Sequence, residues 1–446
     1  MGLNNMTAVS EILLYSPVTS SRLKYITGIM LGDLLGLSLQ ITTDEEVYRN
    51  YTGPRICYHT RQIAESGCLI GSSGLLNERG INPHQLNLID YTGSKALFPV
   101  YGKDVVMPFD VFSAAFYVVS RYEEYLPYIR DAHGRFSAFS SLAWQKGFLQ
   151  VPVVNVWAKE LGKILTASFP ELQIKEPVYN YIPTIDIDAA WAYGHKGFYR
   201  SLGGFLKDIY ALDPEGLKTR FRCLLKLEKD PFDTFELMHS LHHKYHLSPK
   251  FFILFADYDQ YDKNTPIYNV SFQKLVKGLS DEGEVGIHPS YASNTIESSL
   301  GNEIEALSGV LHREVTSSRQ HFLKLQHPDT YRNLLSHDIT DDYTMGFAAQ
   351  TGFRSGMCTT YKWYDLEMER ITGLRIHPFA VMDGTLGDYM EIDANSAMHH
   401  IRPLVDVVRS VGGTFISLWH NESLANWRRW KGWDRVYEEM LDYAKP

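Results

Sequence analysis

The pattern of apolar and polar positions changes character near residue 180. Before that point, short apolar runs and helical stripes are separated by polar and Gly-rich stretches. From residue 181 onward, strand-like apolar runs alternate with helical stripes in about seven strand–helix units, typical of a parallel sheet closed or nearly closed into a barrel. We therefore predict two domains, residues 1–178 and 179–446. The first is a smaller α/β domain and the second an α/β barrel.

The same pattern predicts the individual elements. In the first domain it predicts strands at 8–15, 55–58 and 97–101, helices at 20–35 and 152–169, and a further helix that is N-capped by Asp110. No helix or strand is predicted between the strand at 181–188 and about residue 230, where Gly203-Gly204 and Asp213-Pro214 act as breakers. The later predicted strands are 250–255, 284–289, 316–323, 344–348, 374–381 and 413–420. The later predicted helices are 235–246, 272–279, 296–311, 328–335 and 396–411.

Two carboxylates end the first strand of the second domain. The apolar Ile182, Ile185 and Ile187 suit a strand that is covered on both faces. Asp186 and Asp188 are two residues apart, so on a strand their side chains leave the same face. Two acids in that position are costly unless a cation or strong hydrogen-bond donors meet them. The alternative is an ordinary strand end, with one Asp capping the next helix and the other in solvent.

Histidine and arginine side chains accompany the later strands in a fixed order. His288 ends the third predicted strand and His420 ends the last, while Arg319 and His321 lie on the fourth. In a parallel barrel such strand ends converge on one face. Asp and His together form a ligand set for a divalent ion such as zinc, and a second carboxylate and a His across the site could move protons. Taken singly, each His is more simply explained as a buried, hydrogen-bonded side chain.

Other groups of charged residues have plainer explanations. Arg121, Glu123 and Glu124 precede His133, and this acid cluster could hold a metal. A solvated helix end that packs against the next domain is the simpler interpretation. The His-rich stretches 242–246 and 399–400 fall in predicted helices, and we expect them to be solvated faces.

Composition narrows the function classes. A formal net charge of −9 provides no basic surface for nucleic acid. The four Cys are widely spread without metal-ligand spacing, which favours free thiols in a reducing compartment. No window reaches about 18 uninterrupted apolar residues, and residues 1–15 lack the pattern of a secretory signal. We therefore expect a cytoplasmic protein without a membrane span.

The residues from about 181 to 430 resemble the NodB-type polysaccharide deacetylases of carbohydrate esterase family 4, which have a distorted (β/α)7 barrel and five ordered motifs. The whole chain resembles more closely an uncharacterised bacterial branch of that group, in which an α/β domain precedes the barrel. The five segments that correspond to the motifs are 184–188 (Thr-Ile-Asp-Ile-Asp), 286–291 (Gly-Ile-His-Pro-Ser-Tyr), 318–322 (Ser-Arg-Gln-His-Phe), 346–356 with Arg354, and 418–420 (Leu-Trp-His).

Two positions depart from the family pattern. The adjacent Asp pair of the family is Asp-x-Asp here, and the His that closes the second motif is replaced by Ala292, which cannot bind a metal. The resemblance implies Asp188 and His288 as metal ligands, with zinc as the expected ion. A third protein ligand must come from elsewhere. We choose His321 and keep His377 as the reserve candidate.

The resemblance also implies catalytic roles and a substrate class. Asp186 would be the base, His420 the acid, and Arg319 the residue that orients or tunes the base; which of Asp186 and Asp188 is the base is open because their spacing differs. The implied activity is removal of acetyl groups from an N-acetylated or O-acylated sugar of a bacterial surface polysaccharide. The alternative is a catalytically degenerate deacetylase fold that binds a glycan or a partner in polysaccharide biosynthesis.

Overall fold

The computed structural model describes residues 9–65, 67–294 and 297–446. Predictions that reach residues 1–8 or 295–296 lie outside the described residues; these include the starts of the strand at 8–15 and of the helix at 296–311. The N-terminal elements are β1 (Glu11–Tyr15), α1 (Ser21–Thr27), β2 (Ser38–Thr42), α2 (Glu45–Asn50), β3 (Arg55–His59), β4 (Cys68–Gly71), β5 (Leu88–Tyr91), β6 (Ser94–Leu97), α3 (Val111–Val119), α4 (Leu142–Gln145) and α5 (Val153–Ser168).

The elements after residue 178 follow the predicted alternation in part. They are β7 (Asn180–Ile187), α6 (Phe198–Tyr210), α7 (Pro214–Leu224), α8 (Phe235–Tyr245), β8 (Lys250–Ile253), α9 (Val270–Glu282), β9 (Glu284–Ile287), α10 (Glu297–Leu311), β10 (Ser317–Ser318), α11 (Asp329–Ser336), β11 (Asp341–Asp342), β12 (Tyr361–Asp365), β13 (Arg370–Ile376), β14 (Val381–Met382), α12 (Ala394–Ser410), β15 (Thr414–His420) and α13 (Trp433–Ala444). Strands and helices alternate as predicted from β8 to β11, but three helices separate β7 from β8, and β11 to β14 follow one another without an α-helix.

The N-terminal region is built on a four-stranded parallel sheet in the order β2-β1-β3-β4. Helix α1 continues as a π-helical segment, Gly28–Leu34, within the helix predicted at 20–35. The predicted N-cap of α3 is confirmed, because the Asp110 carboxylate accepts a hydrogen bond from the Ser113 N–H at 3.0 Å. The buried Tyr58 hydroxyl also donates to Asp110 at 2.8 Å, so the cap ties α3 to β3.

The second region is built on a nine-stranded sheet in the order β12-β13-β11-β10-β9-β8-β7-β15-β14. Every pair in it is parallel except β12 with β13. The central β7 lies between β8 and β15, and Ile185 and Ile187 on it are fully or almost fully buried. The α/β class is therefore confirmed. The carboxyl ends of β7, β8, β9 and β15 lie side by side at one edge of the sheet.

The predicted barrel is not closed by a continuous strand ladder among the described residues, since β12 and β14 are edge strands. Residues 377–380 cross the gap instead. There, the Phe379 N–H donates to Met345 O (3.2 Å) and the Ala380 N–H donates to Ile416 O (3.0 Å). Buried side chains, with Phe252 and Leu418 among them, fill the space enclosed by the sheet. The strands β10, β11 and β14 have only two residues each, so side-chain packing, and not a continuous ladder of backbone hydrogen bonds, holds this part of the sheet together.

Three predicted strands have different bounds in the structure. The first two end early because a backbone N–H is bonded to a side chain and not to a neighbouring strand. The strand predicted at 316–323 is only Ser317–Ser318, since the Gln320 N–H donates to Thr344 Oγ1 and the chain then turns at Phe322, whose φ is 57°. The strand predicted at 344–348 is replaced by β11, because the Thr344 N–H donates to the Asp342 carboxylate. The strand predicted at 374–381 is divided into β13 and β14.

Two further corrections concern the N-terminal strands and the stretch before residue 230. The strand predicted at 97–101 is shifted to β6, because Phe98 has a φ of 58° and ends it. Residues 198–224, for which no element is predicted, form the helices α6 and α7. Among the described residues, no helix combines the length and the apolar composition that a bilayer crossing requires.

A buried ion cluster joins the two regions. The Glu124 carboxylate accepts hydrogen bonds from Arg121 Nε at 2.7 Å and from Arg354 Nη2 at 2.6 Å, and His327 Nε2 lies 3.7 Å away. All four side chains are almost fully buried. The predicted packing of this helix end against the second region is confirmed, but the prediction that it is solvated is wrong. Glu124 is paired with Arg354, which lies between β11 and β12, and Glu123 is paired with Arg121.

Candidate metal centre

The site begins at the carboxyl end of β7. Asp186 is the seventh residue of this strand and pairs in register with His420 of β15. Asp188 follows directly after the strand. Because alternate residues of a strand share a face, both carboxylates point to the same side, as the sequence predicts. Asp186 is almost fully buried, whereas the Asp188 side chain is about one third exposed.

Arg319 holds Asp186 in place. Its Nη1 donates to Asp186 Oδ1 at 2.9 Å, and its Nε donates to Tyr343 O at 3.0 Å. The guanidinium carbon lies 4.5 Å from the centre of the Phe252 ring. The charge-assisted hydrogen bond from this fully buried guanidinium fixes the orientation of the Asp186 carboxylate. Asp186 Oδ2 is left facing His288, whose Nε2 is 3.8 Å away.

The backbone orients His288. Its Nδ1 lies 2.6 Å from the carbonyl oxygen of Arg319. Since a carbonyl oxygen only accepts, Nδ1 carries the proton and Nε2 presents a lone pair. This Nε2 is 3.2 Å from Asp188 Oδ1. The buried imidazole is therefore held in the tautomer that a metal ligand needs.

A carboxylate orients His321 in the corresponding way. Its Nδ1 is 2.8 Å from Asp262 Oδ1, and its Nε2 is 3.5 Å from Asp188 Oδ2. Burial opposes the charged imidazole, but Asp188 and Asp262 together raise the pKa of His321 to about 9. Burial likewise opposes ionisation of Asp188, yet His321 and His288 hold the pKa of that carboxyl well below its usual range.

These three side chains fit a divalent ion. Asp188, His288 and His321 each offer one ligand atom, and the three atoms lie within 4.8 Å of one another. Asp188 Oδ1 is buried, yet it accepts no hydrogen bond. Two imidazole nitrogens and one carboxylate oxygen form a donor set that zinc accepts with a position left open. The structure thus brings His321, and not the reserve candidate His377, to the other two ligands.

A second imidazole–carboxylate pair lies across the site. His420 Nδ1 is 2.8 Å from Asp383 Oδ1, and the His420 N–H donates to Asp383 Oδ2 at 2.8 Å. The Nε2 atom of His420 is 3.9 Å from Asp188 Oδ2. Burial opposes the imidazolium, but Asp383 and then Asp188 raise the pKa of His420 well above its ordinary value. This imidazole is therefore able to hold a proton near the carboxylates.

Five of the six predicted site residues line one pocket of about 230 Å3, namely Asp186, Asp188, His288, His321 and His420. The sixth, Arg319, lies behind Asp186. Its wall includes polar and aromatic side chains from several elements, among them Arg135, Tyr389, Glu422, Arg429 and Trp430.

Arg135 belongs to the N-terminal region and reaches the pocket by crossing to the second region. Its Nη1 donates to Phe322 O at 2.6 Å, and Asp131 holds its Nε at 2.7 Å. The residues that follow the Glu124 cluster therefore help to shape the pocket, although sequence reasoning found no chemical signal in the N-terminal region.

Sequence reasoning missed Asp262 and Asp383. Asp383 directly follows β14 and precedes Gly384, so an acid just after a strand was the available signal. Asp262 lies in a loop nine residues after β8, and nothing in its spacing points to His321. Sequence reasoning also mistook His242 for a solvated residue. It is buried, its Nε2 lies 2.6 Å from the Tyr437 hydroxyl, and burial lowers its pKa to about 4.

Other singled-out residues lie outside the pocket. His377 pairs through Nε2 with Asp341 Oδ1 at 2.7 Å and stacks on Tyr343 at 4.2 Å. Arg354, in the region of the fourth motif, is bound to Glu124. Ala292 lies in a short 3-10 helix, Tyr291–Asn294, and lines a different cavity.

Comparison with known proteins adds limited information. A family model described as a family of unknown function (DUF7033) matches residues 12–170. No curated protein matches the chain.

Several solved structures are similar to part of this chain. A putative polysaccharide deacetylase from Mycobacterium smegmatis is 12% identical, with 60% of this chain and 84% of that chain covered and a TM-score of 0.39. A probable polysaccharide deacetylase from Pseudomonas aeruginosa PAO1 is 10% identical, with 60% and 84% covered and a TM-score of 0.37. A CE4 family pseudoenzyme from Bacillus anthracis, BA3943, is 10% identical, with 61% and 64% covered and a TM-score of 0.28. The function has to be inferred from the site itself.

Proposed function

We propose that this protein is a metal-dependent deacetylase that removes acetyl groups from an N-acetylated or O-acylated sugar of a bacterial surface polysaccharide. The observation that carries the proposal is the arrangement of Asp188, His288 and His321 around a common point. Each imidazole turns Nε2 toward Asp188 while an oxygen acceptor holds its Nδ1. Such outer contacts are what fixes imidazole ligands in metal sites.

The ligand set suits zinc. When bound, such an ion supplies a Lewis acid that polarises the acyl oxygen and lowers the pKa of water. The orphaned Asp188 Oδ1 and the Nε2 atoms of His288 and His321 are the groups that would hold it. His321 must lose its proton to act as a ligand, so the carboxylates that raise its pKa also attract the cation that replaces that proton.

Asp186 is placed to accept a proton. Arg319 holds its Oδ1 at 2.9 Å, which fixes the carboxylate and leaves Oδ2 toward the pocket. The role of base therefore falls on Asp186, and Asp188, which contacts both imidazoles, takes the role of ligand. A fixed carboxylate at the rim of a metal site is suited to taking the proton of an attacking water molecule.

His420 is placed to donate a proton. Asp383 accepts from Nδ1, so the proton on Nε2 faces the pocket. Transfer of that proton to the departing nitrogen or oxygen allows the sugar to leave as a neutral amine or alcohol. Asp186 and His420 are register partners on β7 and β15, so proton acceptance and proton donation are assigned to two neighbouring side chains of the pocket.

The pocket wall supports a sugar substrate. Tyr389 and Trp430 present aromatic rings on which the apolar face of a sugar can rest, and Met382 and Leu418 provide an apolar surface for an acetyl methyl group. The ordered sequence motifs that resemble NodB-type deacetylases point to the same substrate class.

The test measures metal content and acetate release together. Protein purified without chelator is assayed for zinc and for acetate released from a panel of acetylated amino-sugar oligosaccharides, beside Asp188→Asn. Asp341→Asn is the matched control, because Asp341 also pairs with an imidazole but lies outside the pocket. We expect stoichiometric metal and activity in the wild type and the control, and loss of both in Asp188→Asn.

Two results would overturn the proposal. Absence of metal from all three proteins would remove the metal-dependent part. Stoichiometric metal without acetate release from any member of the panel would favour the degenerate fold, a glycan- or partner-binding protein.

A further inference from the structure

The segment between β7 and α8 exposes an unusual amount of apolar surface. We call residues 198–227 the α6–α7 hairpin. Twelve of the 27 large apolar side chains that the described chain exposes lie within these 30 residues. Tyr199 is 87% exposed and Tyr210 91%, and helix α6 has no buried residue. Exposed apolar patches of this extent mark interaction sites in soluble proteins.

Helix α6 is attached to the protein by its polar side. Arg200 donates through Nη1 to Asn264 O at 2.9 Å, and Asp208 pairs with Arg220 of α7 at 2.7 Å. The apolar residues at positions 198, 202, 205, 206 and 209 fall on the opposite face of the helix and are all exposed. An ordinary surface helix has the reverse orientation. The apolar stripe of α6 is therefore directed away from the protein.

The charge of the hairpin differs from that of the whole chain. Residues 198–227 contain six Lys and Arg against three Asp and Glu, a formal net charge of +3, whereas the whole chain carries −9. The exposed Lys207, Lys218 and Lys226 flank the apolar residues in sequence. Basic side chains beside an exposed apolar helix face are complementary to an anionic lipid surface.

The hairpin lies next to the pocket. It follows Asp188 by ten residues, so it leaves the same edge of the sheet that carries the candidate metal centre. Arg428 forms an ion pair with Asp213 in the turn between α6 and α7, and the next two residues, Arg429 and Trp430, line the pocket. A surface bound by the hairpin would therefore lie close to the pocket wall.

We propose that the α6–α7 hairpin docks this protein on an anionic lipid bilayer, with the apolar face of α6 inserted at the level of the headgroups. Tyr199 and Tyr210, at the two ends of α6, suit the boundary between headgroups and acyl chains, where aromatic side chains with a polar tip are favoured. Docking in this way needs no membrane-spanning helix, and it would bring the pocket close to glycans carried at the membrane.

Vesicle flotation tests the proposal with the full chain. The vesicles are phosphatidylcholine alone or phosphatidylcholine with about 30 mol % phosphatidylglycerol, at low and at high salt. The first variant is Leu202→Gln/Leu206→Gln/Ile209→Gln, in which Gln keeps the helix propensity. The second is Lys207→Gln/Lys218→Gln/Lys226→Gln. The matched control is Tyr101→Gln/Ile129→Gln, whose side chains are 90% and 84% exposed elsewhere on the protein.

We expect the wild type and the control to float with the anionic vesicles and to be released by high salt. The apolar variant should lose at least about tenfold in apparent affinity, because less apolar area enters the interface. The Lys variant should lose its preference for anionic vesicles. Metal content, measured separately, should be unchanged in both variants, so the result does not depend on the proposed activity.

Failure of the wild type to float with anionic vesicles would overturn the proposal. Equal binding of the apolar variant and the wild type would also overturn it. A concentration-dependent dimer that the apolar variant abolishes, seen by sedimentation without any vesicle binding, would assign the surface to a second copy of the chain instead.

Discussion

The Glu124 cluster and the pocket cluster both combine Asp or Glu with Arg and His, and they differ in how their carboxylates are satisfied. At the junction of the two regions, both oxygens of Glu124 accept from guanidinium groups. In the pocket, Asp188 Oδ1 is buried and accepts from no donor, while the Nε2 atoms of His288 and His321 lie 3.2 Å and 3.5 Å from the two Asp188 oxygens. The residue types are similar, but only the second cluster leaves a buried carboxylate oxygen without a donor.

The pKa values of His327 and His321 also differ between the two clusters. Burial dominates at His327 and lowers its pKa to about 4, although Glu124 is nearby. At His321 two carboxylates outweigh burial and raise the pKa to about 9. A cluster with saturated carboxylate oxygens stabilises a domain junction, whereas an unsaturated carboxylate oxygen attracts a cation. The two clusters therefore differ in whether each carboxylate oxygen has a donor, and not in residue composition.

The largest expected effect is the loss of activity on removing a ligand. His288→Ala should lower the rate of acetate release by about 10^3-fold or more, because the Lewis acid is lost. The free energy of unfolding should change by much less than the activation free energy of the reaction. The control is His377→Ala, which removes an imidazole that also pairs with a carboxylate outside the pocket. Activity in His288→Ala equal to that of the control would contradict the metal assignment.

The saturated cluster should respond in stability instead. Glu124→Gln leaves the buried Arg121 and Arg354 without a counter-charge and should lower the free energy of unfolding by roughly 3–5 kcal/mol. Urea denaturation measures this. Glu45→Gln, which breaks an exposed pair with Arg49, should change stability by less than about 1 kcal/mol. A loss in Glu124→Gln as small as in this control would mean that the cluster does not stabilise the junction.

The pH dependence of stability should show the contribution of His327. Its folded pKa of about 4 lies below the ordinary value of about 6.5, so between these values the unfolded chain binds more protons. The contribution is fully present above pH ~6.5 and is lost as the pH falls, by about 2 kcal/mol at pH 5. Urea denaturation of the wild type and of His327→Gln is measured between about pH 7.5 and about pH 5, a range that includes the ordinary His pKa. The free energy of unfolding should depend less steeply on pH in the variant. Identical slopes would show that His327 does not titrate as its burial implies.

The smallest expected effect concerns the residue that orients a ligand. Asp262→Asn should weaken metal binding by about 10- to 100-fold, since it removes the carboxylate that holds His321 Nδ1. Competition with a chelator of known affinity measures the change. Asp341→Asn, at the His377 pair, is the control and should bind metal like the wild type. Unchanged affinity in Asp262→Asn would limit the role of Asp262 to the loop that it anchors through the Tyr291 N–H.

The candidate site was predictable where a local rule applies. Asp186 and Asp188 follow from the two-residue period of a strand, and His288 and His420 follow from the convergence of parallel strand ends. The contacts of His321 could not be predicted in this way, because the strand assigned to it ends at Ser318 and a turn with positive φ at Phe322 places the ring. Asp262 and Arg135 come from loops, for which spacing in the sequence carries no geometric information.

The sequence by itself determined the α/β class, the central strand with two acids on one face, and the order of the polar side chains at the strand ends. These depend on backbone periodicity, which acts over a few residues. Only the tertiary structure decided which acid is satisfied and which is not. Arg319 reaches Asp186 across 133 residues, and Arg354 reaches Glu124 across 230. Hydrogen-bond donors are supplied by whatever the fold brings near, and for that reason Asp188, and not Glu124, retains a free oxygen for a cation.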